Sequence, residues 1–235
     1  MHQHNDTVNG QGLARFLVIR LSSLGDILLT TPVLRLLREH YPTAQIDFLT
    51  KGTYRDVLCA NPCVDRLLLL ESQQGLMETL RSLRQTRYDV VLDLHRTLRS
   101  RLLYRGLPAQ RKLTYAKRTL RRALLVHLGW NTLRSMTPVP ELYVAPLRRL
   151  GITASLPPLE MHLTAESREA MRTYVRQELP ASVGQPLLAV APGAHWSTKR
   201  WPVERFATVA QELAQTQEAA VVVLGSGEDA RLAQE

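Results

Sequence analysis

Asp26 stands in the run S-S-L-G-D, directly after the apolar stretch RFLVIRL at residues 15–21. A strand is expected to pass there into a loop and a helix, and at that edge of an open α/β sheet ligands bind. A carboxylate so placed accepts a proton from a substrate hydroxyl. Asp is also a preferred helix N-cap, so position alone leaves both roles open. Lys199, one of four lysines, lies in the loop HWSTKR, ahead of a helix that starts near Pro202. A helix N-terminus offers unpaired N–H groups and partial positive charge, so a lysine beside it suits a phosphate; a solvated surface lysine is the plainer alternative. Gly193 and Ala194 let the backbone approach a ligand closely, and Ser197 and Thr198 add hydroxyl donors. Trp196 and Trp201 have the shape to stack on a base or sugar, although core packing is the commoner use of tryptophan.

Arg96, Arg99, Arg101 and Arg105 follow the DLH that closes YDVVLDL, so the first of them leave the same sheet edge as Asp26. Guanidinium groups pair bidentately with phosphate and carboxylate; the competing use is a solvated helix face. Thirteen basic side chains fall between residues 81 and 122 against Asp89 and Asp93 alone, a local charge of +11 in a chain of net charge +9. Such a field implies an anionic partner: nucleic acid, phospholipid or a phosphorylated substrate. Nucleic acid is disfavoured, because only Tyr88, Tyr104 and Tyr115 interleave with the arginines. TLRRALLVHLGW at 119–130 has an apolar face of Leu120, Ala123, Leu124 and Leu128, suited to an anionic membrane surface.

Other motifs point away from metals and cofactors. GSGEDA at 225–230 fits a permissive dinucleotide fingerprint, and a phosphate-facing or packing turn at Gly225 is the preferred reading over a nicotinamide site. There is no Asp-x-Asp pair, no G-x-x-x-x-G-K-[ST] loop and no G-x-S-x-G elbow. Cys59 and Cys63 lack a second Cys or His pair for zinc and are expected to be reduced and structural, while His2 and His4 lie in a polar tail. No cofactor and no metal is expected.

The elements that position these residues follow from periodicity. At 235 residues, 45% hydrophobic and 22% charged, the chain can bury one or two cores. Residues 1–14 read as a disordered polar tail without the apolar run of a signal peptide, and no stretch approaches the roughly 18 apolar residues of a membrane span. A cytoplasmic protein, or one peripheral to the inner membrane, is expected. After the first strand, ILLTTPVLRLLREHYP predicts a helix, either capped by Thr30 or Thr31 with Pro32 in its first turn or starting at Asp26 with a kink. AQIDFLT, VDRLLLL and YDVVLDL predict strands, separated by a short helix over TYRDVLCANP and a longer one over GLMETLRSLRQTR. Alternation of this kind specifies a parallel sheet with helices on both faces. Residues 96–150 read as mostly helical and basic, and ITASLPPLEMHL as an edge strand or linker. A helix at 165–179, a strand PLLAVAPGA, a helix WPVERFATVAQELAQT and a strand AAVVVLGSG then begin a second alternating unit. The expected domains are 15–165, a linker helix region at 166–183, and 184–235.

RFLVIRLSSLGDILLTTPVLRLLREHYPTAQIDFLT, YDVVLDLHRTLRS, VAPGAHWSTKRWPVERFATVAQEL and VVVLGSGED, taken in order, resemble glycosyltransferase family 9, the ADP-heptose:lipopolysaccharide heptosyltransferases. The resemblance implies an α/β fold of two Rossmann-like domains (GT-B type), the first binding the acceptor and the second the nucleotide sugar. It implies inverting transfer of heptose from ADP-heptose to the phosphorylated lipopolysaccharide core. In those terms Asp26 is the general base, Ser22, Ser23, Arg96, Arg99 and Arg101 face the acceptor, and Lys199, Ser197, Thr198, Gly193 and Gly225 face the donor. The family continues with further strands and a D-S-G-x-x-H segment, so the second domain is expected to be incomplete here and the chain alone inactive. Two other functions fit the same residues: a non-catalytic or inactive anion-binding module, and a transferase of similar fold using another nucleotide sugar.

Overall fold

The computed structural model describes residues 15–71, 75–116, 137–179, 184–194 and 197–225. The expected tail, His2 and His4, the amphipathic segment 119–130, Trp196 and the GSGEDA turn beyond Gly225 lie outside the described residues. The chain divides into two compact units, Met1–Thr164 and Ala165–Glu235.

The first unit is built on five parallel strands: β1 (Arg15–Ile19), β2 (Gln45–Lys51), β3 (Arg66–Leu70), β4 (Tyr88–Asp93) and β5 (Ala109–Thr114), in the order β3-β2-β1-β4-β5. The helices are α1 (Leu24–Leu28), α2 (Thr31–His40), α3 (Leu76–Arg84), α4 (Leu98–Gly106) and α5 (Val139–Val144). β1 is apolar on both faces because helices cover both. Phe16 and Val18 pack with Val33, Leu34, Leu37 and Tyr143 on one side, whereas Leu17 and Ile19 pack with Leu80, Leu83 and Leu103 on the other. Each such side chain contributes roughly 1.5–3 kcal/mol when removed from water. From β1 the chain winds outward through β2 to β3, then returns to lay β4 on the opposite side of β1. That reversal leaves a crevice at the carboxyl ends of β1 and β4, where open α/β sheets bind ligands.

Three local expectations change. Within 96–150, where α4, α5 and a 3₁₀ segment at Ala145–Leu150 keep most of the described residues helical, AQRKLT forms β5, an edge strand whose one buried residue is Leu113; its polar, charged sequence hid the strand signal. The helix after Asp26 is two helices. Thr30 occupies the N-cap position of α2, with Pro32 in the first turn, yet its hydroxyl donates to the Ile27 carbonyl at 2.6 Å instead of capping. TYRDVLCANP yields only a 3₁₀ segment at Gly52–Val57.

Residues 153–163 form no strand. They are tied to α2 by Glu160, whose backbone N–H donates to Thr31 Oγ1 at 3.1 Å and whose Oε1 accepts from Arg35 Nε at 2.9 Å and Nη2 at 2.6 Å.

The second unit holds α6 (Ala165–Glu178), β6 (Leu187–Val190), α7 (Val203–Gln217) and β7 (Ala220–Val223), with β6 and β7 parallel through the α7 crossover. Only Pro192 is buried among its described residues, and Leu187, Val221, Val223 and Leu224 are exposed. Among the described residues, two strands and a crossover helix supply too few layers to close a core.

Candidate active site

The β1–α1 connection sets the geometry around Asp26. Ser23, in extended conformation, is the N-cap of α1, and Asp26 is the third helical residue. Asp26 is therefore not the N-cap. Its Oδ2 accepts from Ser23 Oγ at 2.9 Å and from Ser23 N at 3.4 Å, the second being the half of a capping box in which the third helical side chain takes the cap residue's N–H. The same oxygen takes an ion pair from Arg20 Nη2 at 2.6 Å. Every one of these bonds lands on Oδ2; Oδ1 has no protein donor among the described residues, and the side chain is 37% exposed. Burial pushes the Asp26 carboxyl up, but the Arg20 charge and the Ser23 and Arg20 hydrogen bonds outweigh it and hold the group below the ordinary aspartate value. The carboxylate is thus ionised at neutral pH and open on one oxygen. Ser22, half-buried, precedes the cap.

Arg20 was not among the residues singled out by sequence, and it organises this edge. It lies between the buried Ile19 and Leu21 and is itself 7% exposed. Its Nη1 donates to the Leu94 carbonyl at 2.6 Å, just past the end of β4. Its guanidinium sits over the Tyr143 ring at 5.5 Å, Tyr143 meets Tyr115 edge-on at 4.9 Å, and Arg96 lies over Tyr115 at 5.9 Å while donating to the Tyr115 carbonyl at 2.7 Å. Asp26 and Arg96 are thereby joined through a layer of two tyrosines and two guanidinium groups, in the cation–π arrangement that favours Arg.

Asp93 was also missed. Its buried carboxylate accepts from the backbone N–H of His95 and of Arg96, both at 2.9 Å on Oδ1, and from Ser100 Oγ at 3.1 Å on Oδ2. These bonds hold the turn in which Arg96 adopts a left-handed φ of 53°, a conformation that a non-glycine residue keeps only when its surroundings enforce it. Arg99 and Arg101 stand exposed on α4. Arg99 lines, with Lys51, Thr53, Glu71 and Gly75, a cleft of about 530 Å³ at the carboxyl ends of β2 and β3. The structure thus gathers Ser23, Asp26 and Arg96 into one connected layer and sets Arg99 in the β2–β3 cleft.

The residues expected to face a donor belong to the second unit. Gly193 follows β6, Gly225 follows β7, and Ser197–Lys199 form a 3₁₀ turn before α7, so all leave the carboxyl edge of that small sheet. Thr198 and Lys199 are exposed, and the Ser197 side chain lies outside the described residues. Arg200 Nε donates to the Ala194 carbonyl at 2.7 Å and closes the loop. Trp201, 41% exposed, meets Phe206 edge-on at 5.1 Å; it is neither in a core nor displayed as a flat platform. Among the described residues no group of three or more His, Cys, Asp or Glu could hold a metal ion, and no helix is long and apolar enough to cross a membrane.

Residues 76–235 match glycosyltransferase family 9 (heptosyltransferase). That span includes the Arg96 turn and the Lys199 loop and leaves β1, β2, β3 and Asp26 outside it. The chain is 27% identical over 218 residues to lipopolysaccharide heptosyltransferase 3 of Escherichia coli K12, covering 87% of this chain and 61% of that protein. It is 26% identical over 227 residues to lipopolysaccharide heptosyltransferase 2 of the same strain, covering 92% and 64%. The chain therefore spans about three-fifths of the length of these curated relatives. In fold it is similar to a family 9 glycosyl transferase from Veillonella parvula, with a TM-score of 0.78 at 24% identity, covering 94% of this chain and 65% of that one. A TM-score of 0.69 at 24% identity relates it to E. coli ADP-heptose lipopolysaccharide heptosyltransferase II, covering 94% and 67%. Its fold is α/β with a parallel sheet, of the kind these glycosyltransferases share, and the chain belongs to glycosyltransferase family 9, the heptosyltransferase family.

Proposed function

We propose that the protein is an inverting glycosyltransferase that moves heptose from ADP-heptose to a phosphorylated lipopolysaccharide inner core, working at the cytoplasmic surface of the inner membrane. Oδ1 of Asp26 accepts the proton of the acceptor hydroxyl as that oxygen attacks the anomeric carbon. The bond to the diphosphate breaks with its electron pair on ADP. Lys199, Thr198, Ser197 and the N–H groups ahead of α7 receive that charge, while Gly193 and Gly225 let the backbone come close to it. Ser22, Ser23, Arg96, Arg99 and Arg101 hold the acceptor and its phosphates. The observation that carries the reading is the half-anchored carboxylate of Asp26 at the point where the sheet reverses. The family and its relatives' names supply the donor and acceptor kinds.

The test is ADP release from ADP-heptose with a heptose-deficient core acceptor. It is run on this chain and on a chimaera whose donor half is completed from E. coli heptosyltransferase 2, since the chain spans about three-fifths of that length. Turnover is expected in the chimaera, where donor and acceptor are held together for reaction. In the active form Asp26→Asn is expected to lower kcat at least about 100-fold with ADP affinity nearly unchanged, as for a lost general base. Near-normal turnover by that variant removes Asp26 from the chemistry, and acceptor binding without turnover in any form favours the anion-binding module.

A further inference from the structure

A general base needs one oxygen aimed at its proton and the other kept still. Among the described residues, Ser23 on α1 and Arg20 after β1 contact the Asp26 carboxylate, with Tyr143 of α5 behind Arg20 and Tyr115 after β5 against Tyr143. Of these, only Arg20 ties Asp26 to another strand. Its two terminal nitrogens reach Asp26 Oδ2 and the Leu94 carbonyl, each at 2.6 Å, and the ring of Tyr143 backs its plane. Buried Nε has no partner among the described residues. An orphaned buried donor calls for an explanation, and here reaching both acceptors at once fixes the guanidinium in the one orientation that leaves Nε unmet.

We propose that Arg20 is a positioning residue for the transfer reaction: it anchors Oδ2 of Asp26 against the end of β4 and so presents Oδ1 to the acceptor hydroxyl. This rests on the reading of Asp26 as the base. Lysine cannot replace it, because a single ammonium carries charge but not a planar fork that spans two fixed acceptors.

The experiment is a carbon-13 NMR titration of the Asp26 carboxyl in the full 235-residue chain, with the signal assigned by its loss in Asp26→Asn. Wild type is expected to titrate below the ordinary aspartate range. Arg20→Gln is expected to raise the proton affinity of Asp26 at least about tenfold, and Arg20→Lys by less, because the charge survives. In the active form both variants are expected to lower kcat by about tenfold or more with the KM for ADP-heptose unchanged, and the acid limb of the pH profile in Arg20→Gln moves up with the NMR midpoint. A wild-type midpoint and wild-type kcat in Arg20→Lys overturn the proposal even if Arg20→Gln fails to fold. Shifted midpoints with normal turnover in Asp26→Asn overturn the reading of the base. Unshifted midpoints with a dead Asp26→Asn overturn the role of Arg20 alone.

Discussion

Asp93→Ala removes the acceptor that shapes the Arg96 turn, and its cost follows from the three bonds on that carboxylate. Ser100 is fully buried, so losing its partner leaves a hydroxyl with less satisfaction in a dry place. The His95 and Arg96 N–H groups belong to half-buried residues that water can partly reach. Assigning about 1–2 kcal/mol to the buried hydroxyl and about 1 kcal/mol to each amide gives a destabilisation of about 3–4 kcal/mol. For a unit of this size that lowers Tm by roughly 6–16 °C. Asp93→Asn keeps Oδ1 for both amides and offers its amide nitrogen to Ser100 Oγ, which can turn to accept; it is expected to cost only about 1 kcal/mol, the charge assistance lost. Thermal unfolding followed by circular dichroism measures both. If alanine costs no more than an exposed substitution, or no more than asparagine, the carboxylate does not hold the turn and the reasoning fails.

Lys199→Ala is expected to weaken ADP binding by about 1.5 kcal/mol, the lower end for a hydrogen bond to a charged group because Lys199 is exposed; calorimetric titration reading an unchanged affinity returns it to the solvated surface. Flotation with anionic vesicles is expected to show binding that falls steeply between low and high salt, because surface phosphate pairing is screened, and salt-insensitive binding would exclude the arginines as the cause. At Glu160 burial pushes the carboxyl up, but the Arg35 and His162 bonds and the Arg35 charge prevail and leave it below its ordinary value. A depressed carboxyl stabilises the fold above its unfolded pKa and ceases to as pH falls through the folded one. Glu160→Gln is therefore expected to cost up to about 1 kcal/mol at pH 7, Arg35 being a third exposed, and the difference from wild type to vanish in urea titrations below the ordinary carboxylate range. A difference that persists or grows in acid would refute it.

The central strands were legible because β1 and β4 are covered on both faces and so read as unbroken apolar runs. β5 was not: it needs only Leu113 inside, and Gln110, Arg111 and Lys112 look like more of the basic helix around them. Asp26 was legible by its place between strand and helix, and the N-cap role that place also allowed falls to Ser23. Arg20 looks in sequence like any cation at a strand end. The one signal it gave was its position between Ile19 and Leu21, both buried, where a guanidinium must find partners. Tyr115 and Tyr143 meet across 28 positions of chain through the winding of the sheet, and nothing local announces that.

The bond from Arg20 to the Leu94 carbonyl closes over 74 residues, and that span orders events during synthesis. A nascent chain that has exposed β1, α1 and α2 already carries Asp26, but not the acceptor that orients its cation. Closing a loop of that length costs entropy that only the pairing of β4 against β1 offsets. The same docking step that completes the centre of the sheet therefore also sets the carboxylate. A partly folded chain therefore holds Asp26 and Ser23 without the contact that fixes the Arg20 guanidinium between them and β4.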